Sequence, residues 1–335
     1  MKNKIKNILK PYYYWFSNRY SLWINFRYDR KLYLDYSLVF NKDDIKQKEA
    51  DLILNYHSLE KGMLFEDMKK GFAAYRISNL HKILCDISIQ EGVGRSQVRV
   101  GYEVMCRYYE LHQEKEWNIE DIYTKEQYEF YKNILGDFYS NTFKGVYEFS
   151  KEEFYSNVRN NNFREFAHSR KSVRDFTGEM LNICTIEKVI ELANTAPSVC
   201  NRQASNVYLI EDKKKIDSLL AIQGGFVGYT DNVSQLLILT NDRKYYYTIG
   251  ERNQLYIDGG IYLMNLLYAL HYYEIGNCPA NWGKESKDDK AVLSIINIPE
   301  SEKIICMIPI GICKKSFRTT LSLRRSSKEN FKIEY

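Results

Sequence analysis

The sequence predicts an α+β fold in which a central sheet is flanked by helices and preceded by an all-α domain. Three observations predict it. No proline occurs between Pro11 and Pro197, and most of that stretch places apolar residues at helical spacing. Beyond residue 160 the texture changes, and helical patterns alternate with short β-like runs. The composition of the 335 residues, 44% hydrophobic and 27% charged, is that of a globular chain with ample material for a core. The 29 tyrosines predict tyrosine-rich cores or interfaces.

The first segment, residues 1–39, is basic and aromatic. Residues 1–31 hold eight Lys or Arg against the single acid Asp29, which leaves 40 basic and 42 acidic residues of the chain's 48 and 43 for the remainder. The net charge of +5 therefore belongs to this tail, and the body has no nucleic-acid signature. Cations alternate with Tyr12, Tyr13, Tyr14, Trp15, Phe16, Tyr20, Trp23 and Phe26. That mixture suits peripheral contact with an anionic membrane surface or, alternatively, a helix that packs its aromatics on the body. Pro11 and the tyrosines interrupt any signal-peptide pattern at once.

Residues 40–155 read as an α-helical domain. Ala50, Leu52, Ile53, Tyr56 and Leu59 share one helical face, and Val104, Met105, Tyr108 and Leu111 another. His57, Glu60 and Lys61, just before Gly62, form either a polar site or the end of a helix followed by a turn. Residues 160–335 form the third segment. Strands are expected at Asn206–Ile210, Gln235–Leu239 and Lys303–Ile310, and helices at 185–195, 212–221 and 257–275. The run Ile257–Ile275 is the most apolar of the chain, but Asp258, Asn265, His271 and Glu274 make it a buried core helix rather than a membrane span.

Several function classes are disfavoured. No GxGxxG follows a strand, which argues against a Rossmann-type site, and no GxxxxGK[ST] marks a P-loop. The seven cysteines, at 85, 106, 184, 200, 278, 306 and 313, are odd in number and show no CxxC spacing, as expected of a reduced, cytoplasmic protein without structural zinc. The five scattered histidines have no metal-ligand spacing, so no metal is expected.

The chemistry is carried by four separated stretches. In Arg170-Lys171-Ser172-Val173-Arg174-Asp175-Phe176 an extended backbone would direct residues 170, 172 and 174 to one side, converging two guanidinium groups and a hydroxyl suited to an anion. By itself this heptapeptide reads rather as a basic surface stripe in a chain rich in Lys and Arg. The others are Ala196-Pro197-Ser198-Val199-Cys200-Asn201-Arg202-Gln203, then Glu274-Ile275-Gly276-Asn277-Cys278-Pro279-Ala280-Asn281-Trp282, and finally Ile310-Gly311 followed by Leu323-Arg324-Arg325-Ser326. In this order and spacing they resemble the FMN-dependent nitroreductase family over roughly residues 163–332.

The resemblance implies a nitroreductase-like central mixed sheet, a homodimer with the flavin at the subunit interface, and FMN as cofactor with NAD(P)H as electron donor. It implies that Arg170, Ser172 and Arg324 hold the FMN phosphate, with Arg325 the neighbouring alternative for Arg324. Arg174 would lie beside the flavin edge that carries negative charge after reduction and so favour hydride acceptance. Pro197, Ser198, Asn201 and Gln203 would reach the flavin from the partner subunit. The Pro279-Ala280-Asn281 stretch would present a backbone N–H to the hydride-accepting nitrogen. Cys278 reads as packing.

Two departures stand out. An amide for the pyrimidine edge of the flavin is not identifiable in residues 224–232. The crossing from Asn241 to Gln254 is too short for a helical lid, so either the flavin is open or the N-terminal domain covers it. The expected function is an FMN-dependent NAD(P)H oxidoreductase working by ping-pong transfer to a small-molecule acceptor. The alternatives are a pathway-specific flavin tailoring enzyme and a non-catalytic flavin-fold scaffold at a membrane surface.

Overall fold

In chain order the computed structural model contains α1 (Lys2–Tyr36), α2 (Ile45–Gly62), α3 (Ala74–Leu84), α4 (Ile87–Glu91), α5 (Ser96–Glu114) and α6 (Lys125–Leu135). There follow β1 (Val146–Ser150), α7 (Lys151–Phe154), α8 (Phe163–Ser169), α9 (Ile183–Ala193), β2 (Ser205–Ile210), α10 (Lys213–Gln223) and β3 (Gln235–Asp242). The chain ends with α11 (Gln254–Tyr272), β4 (Gly276–Asn277), β5 (Ala280–Asn281), α12 (Ser286–Leu293), β6 (Glu302–Gly311), β7 (Ser316–Thr320) and α13 (Ser327–Asn330). The structure describes residues 2–36, 40, 42–43, 45–156, 158, 162–246 and 249–334. The expected segment limits at 39 and 160 lie outside the described residues.

The chain divides into two compact units, Met1–Tyr147 with Thr320–Tyr335, and Glu148–Thr319. The last sixteen residues, expected with the sheet, thus group with the helices. In the helical unit the tyrosine-rich core is literal. Tyr102, Tyr108, Tyr123 and Tyr131 are fully buried among Leu52, Leu59, Leu80 and Met105. Buried phenols need partners. Tyr102 donates to the Leu84 carbonyl at 2.7 Å, Tyr108 to the Phe72 carbonyl at 2.8 Å, and Tyr131 meets His81 Nδ1 at 2.6 Å. On α2 the core face differs by one position from that expected. Glu49, rather than Ala50, is buried, because 49, 52, 56 and 59 follow the helical repeat toward α5. The expected packing of the tail's aromatics on the body is not seen, since Tyr12, Trp15, Phe16, Tyr20, Trp23 and Phe26 are all exposed.

The second unit holds a five-stranded sheet of order β2-β3-β6-β4, with β5 also beside β6. β1 and β7 form a separate two-stranded sheet. Every pairing in the larger sheet is antiparallel, so it is antiparallel rather than mixed. The reason lies in the β2–β3 connection. After α10, the loop from Gly224 to Ser234 returns the chain to the end where β2 finished, and Leu236 pairs with Ile210. Central strand β3 is buried throughout, and its side chains alternate. Leu236 and Ile238 enter the core with Ile216 and Leu219 of α10, whereas Leu237 and Leu239 enter the core with Val189 of α9 and Leu266 and Leu270 of α11.

α11 is half-buried, not the fully buried core helix expected from its composition. Leu255, Gly259, Tyr262, Leu266 and Leu270 face inward, while Ile257, Ile261, Met264 and Tyr272 remain exposed on the opposite stripe. Close approach to the sheet requires Gly259, where an added Cβ would stand 2.7 Å from Ile305 Cγ1.

Candidate active site

The heptapeptide from Arg170 to Phe176 leaves α8 in an extended conformation and docks along the sheet. Val173 N donates to the Asn277 carbonyl at 2.9 Å, Thr177 N donates to the Ile312 carbonyl at 2.9 Å, and Phe176 forms an isolated antiparallel bridge with Cys313. Val173 and Phe176 sink into the core shared with α10, while Arg170, Ser172 and Arg174 stay half-buried. The glycines of the third and fourth motifs have a packing cause. A Cβ on Gly311 would lie 2.9 Å from Phe176 Cγ, and one on Gly276 would lie 2.6 Å from Cys313 Sγ and 3.1 Å from the Phe176 ring. Both positions are bare because the Phe176 ring occupies the space.

The two arginines meet different surroundings. Arg170 lies beside His271 near the end of α11, and Ser169 Oγ is 2.8 Å from His271 Nε2. His271 is buried against Phe154, Tyr155 and Phe166. Burial, reinforced by the Arg170 charge, lowers its pKa from 6.5 to about 4. The unfolded chain therefore takes up this proton below about 6.5, while the folded protein does so only near 4. Its contribution to stability is complete above pH 6.5 and is lost as the pH falls toward 4, by up to about 3 kcal/mol. Thermal unfolding across that window should show the loss, and His271→Asn should flatten it. An unchanged slope in the variant would remove His271 as its cause.

Arg174 is the more informative of the pair. Its Nε and Nη1 atoms are buried and have no hydrogen-bond partner among the described residues. The adjacent Asp175 does not neutralise it, because Asp175 pairs with Lys314 at 2.7 Å. Tyr229 stands close by. Burial raises its phenol to about 12, and the Arg174 charge acts in the opposite direction. A buried guanidinium with unused donors calls for an acceptor.

The Pro279-Ala280-Asn281 stretch lies along β6, with Ala280 opposite Met307 and Asn281 opposite Cys306. Gln223 ties it to the loop after α10. Its Nε2 donates to the Asn281 carbonyl at 3.0 Å, and its Oε1 accepts from Gly225 N at 2.7 Å. Sequence reasoning missed both Gln223 and Tyr229. The amide immediately before Gly224-Gly225 was the available signal. Cys278 is buried, as expected of packing.

The second motif lies elsewhere. Val199 N donates to the Asp258 carboxylate at 3.3 Å, in the first turns of α11, and Arg202 forms a two-pronged pair with Glu251 at 2.7 and 3.0 Å. Ser198 Oγ accepts from Gln203 N at 2.9 Å. Asn201 and Gln203 have left-handed backbones, φ 55° and 51°, and Pro197, Asn201 and Gln203 are exposed. Such strain, of order 1 kcal/mol or more per residue, persists where surrounding bonds enforce it, and it clusters at ligand-binding loops. Asp258 and His271 are separated by thirteen residues of helix, about 20 Å. One chain therefore carries Arg170, Ser172 and Arg174 on one segment, with the two arginines in different surroundings rather than converging, and holds the amide loop at the far end of α11. Among the described residues the crossing after β3 contains two single turns, Arg243–Tyr245 and Ile249–Glu251.

Arg324 and Arg325 belong to the helical unit. Arg325 Nη2 lies 3.3 Å from the fully buried Glu49 carboxylate, which Arg95 also engages. The same tail is held by Gln97 Nε2 on the Leu323 carbonyl at 3.3 Å and by Ser96 N on Glu329 Oε1 at 3.3 Å. Arg324 Nη1 donates to the Ser322 carbonyl at 2.6 Å and has no carboxylate partner among the described residues. In the same unit His57 Nδ1 lies 2.7 Å from Glu60 Oε2 in the last turns of α2.

Residues 167–227, which contain the first two motifs and α10, match the model of the nitroreductase family. This segment is of nitroreductase type. Solved structures similar to the chain include a nitroreductase-like protein from Streptococcus mutans, at 22% identity and TM-score 0.45, covering 52% of this chain and 98% of that one. A nitroreductase family protein from Clostridium novyi is 20% identical, with TM-score 0.41 and coverage of 46% and 86%. An FMN-dependent nitroreductase from Clostridium difficile is 16% identical, with TM-score 0.41 and coverage of 51% and 96%. The nitroreductase-type segment thus spans the anion-suited heptapeptide, the strained amide loop and Gln223.

Proposed function

We propose that this protein is an FMN-dependent oxidoreductase that passes electrons from NAD(P)H to a small-molecule acceptor and works as a homodimer. The observation that carries the reading is Arg174, a half-buried cation whose buried Nε and Nη1 donors are unused, inside a nitroreductase-type segment. These residues fit FMN. Arg170 and Ser172 offer a charge and a hydroxyl to the phosphate, Arg174 places a cation where negative charge needs one, and neutral amides suit the ribityl chain. When bound, FMN supplies a hydride acceptor that a nicotinamide can reduce and a second substrate can reoxidise. Arg174 would favour the negative form electrostatically, and the Pro279-Ala280-Asn281 stretch, braced by Gln223, would offer its backbone N–H to the group. Arg324 is retained as a candidate phosphate ligand. Arg325 is assigned instead to Glu49.

The distance along α11 supports the homodimer. A second copy packed on the exposed stripe of Ile257, Ile261 and Met264 about a twofold axis perpendicular to α11 would run its α11 in the opposite sense. The Ser198, Asn201 and Gln203 loop of one copy then approaches the arginines of the other. Covering those side chains also removes apolar surface from water.

A yellow purified protein that releases FMN, identified by mass, is the expected result. A colourless protein that takes up no added FMN would leave only the scaffold reading. Arg174→Gln separates binding from electronics, because it keeps hydrogen-bonding capacity and removes the charge. FMN should still bind while its reduction potential falls. Spectroelectrochemical titration without a negative shift would take this role from Arg174.

A further inference from the structure

We propose that α1 docks on an anionic lipid surface through a single face on which aromatic rings and cations are interleaved. At 3.6 residues per turn, Tyr12, Trp15, Phe16, Tyr20, Trp23 and Phe26 fall within an arc of about 160°. Arg19, Arg27, Arg30 and Lys31 fall within the same arc, and all ten residues are exposed. The opposite side carries Ser17, Asn18, Ser21 and Asn25, of which Ser21 and Asn25 are half-buried, together with the exposed Tyr14. Rings and charges therefore share one surface instead of dividing the helix into an apolar and a charged side. The contacts agree, with the Arg19 guanidinium 4.0 Å above the Trp15 ring and that of Arg27 5.3 Å from the Trp23 ring.

The chemistry of this face selects its partner. Tyr, Trp, Phe and Arg are also enriched at protein interfaces, so the rings alone do not choose the partner, and the excess of cations does. The face is built from Trp, Tyr and Phe with little Leu or Val, and ring systems with a polar edge settle at headgroup depth. Long Arg and Lys side chains at the same depth extend to lipid phosphates. Charge complementarity is strong, because residues 1–31 hold eight cations against one acid while the remainder is slightly acidic. Such a body is not drawn to an anionic surface, so the attraction is confined to the tail. From Tyr12 to Lys31 the helix is about 28 Å long, enough for several turns lying flat. No helix among the described residues is long and apolar enough to cross a membrane. The surface is independent of the flavin reading.

The test uses the full chain with vesicles of phosphatidylcholine, alone or mixed with phosphatidylglycerol. Co-sedimentation is expected only with the mixed vesicles, weakening as salt is added, with a blue shift of tryptophan emission. Arg19→Glu with Arg27→Glu should weaken binding more than tenfold, since each cation near such a surface contributes roughly fivefold. Trp15→Ser with Trp23→Ser should also weaken it at unchanged charge and abolish the blue shift, which adsorption by charge alone would not require. Both pairs lie on the exposed face, and far-UV circular dichroism checks that the fold persists. Equal binding to phosphatidylcholine alone, no binding to either, or parental binding by both double variants overturns the proposal. So does tighter binding to a single-stranded oligonucleotide than to the mixed vesicles, or self-association that these substitutions abolish.

Discussion

Phe176→Ala is expected to destabilise the sheet unit by about 3–5 kcal/mol, the range for removing a buried aromatic ring from a packed core. Phe176 is 1% exposed, and its ring occupies the space that Gly276 and Gly311 leave bare. The neighbouring backbone cannot close over the loss easily, because Gly311 belongs to β6 and Gly276 to β4, two paired strands. The ring also anchors the segment that presents Arg174 two residues earlier. Flavin affinity should consequently fall together with stability, although residue 176 is not assigned a flavin contact. Phe176→Leu keeps much of the volume and should show a smaller loss of both. Urea unfolding followed by circular dichroism, with flavin occupancy measured on the folded fraction, tests the coupling. If the alanine variant unfolds at the parental urea concentration, the glycine pair is not a seat for this ring.

Arg170→Ala should lower FMN affinity by about tenfold or more. A charge-assisted bond to a phosphate contributes about 1.5–3 kcal/mol, and a dianion held by few donors is sensitive to each. Lysine restores charge without the planar fork, so Arg170→Lys should recover part of the affinity. Stability away from acid pH should change little, because Arg170 is half-buried at the end of α8 and His271 is neutral there. Equilibrium titration of the flavin-free protein with FMN gives the comparison, and the same titration of Arg324→Ala tests that residue as a phosphate ligand. Parental affinity in Arg170→Ala would show that the phosphate lies elsewhere.

Local patterns carried much of the fold. The short apolar runs at Gln235-Leu236-Leu237-Ile238-Leu239 and from Lys303 to Ile310 marked β3 and β6, because the composition of a buried strand is a local property. Helices expected at 185–195 and 212–221 lie at Ile183–Ala193 and Lys213–Gln223, the latter ended by Gly224 at φ 77°. The residue types of RKSVRDF likewise announced an anion-suited segment, since guanidinium and hydroxyl chemistry is written in the residues themselves.

Strand direction was not legible in this way. The sheet is antiparallel because a loop of ordinary composition, from Gly224 to Ser234, turns the chain back to the end of β2. Nor could composition tell that α11 keeps an apolar stripe in water, since burial of a helix face depends on what the rest of the chain brings to it. The separate destinations of Arg170 and Arg174, the clamp of Gln223 on Asn281 and the pairing of Arg325 with Glu49 all join positions remote in sequence. By itself, then, the sequence determined which segments are helix or strand and which side chains can address an anion, because those follow from local period and residue chemistry. Only the tertiary structure decided which of those side chains retain unused donors after folding, because that depends on every long-range partner the packed chain supplies.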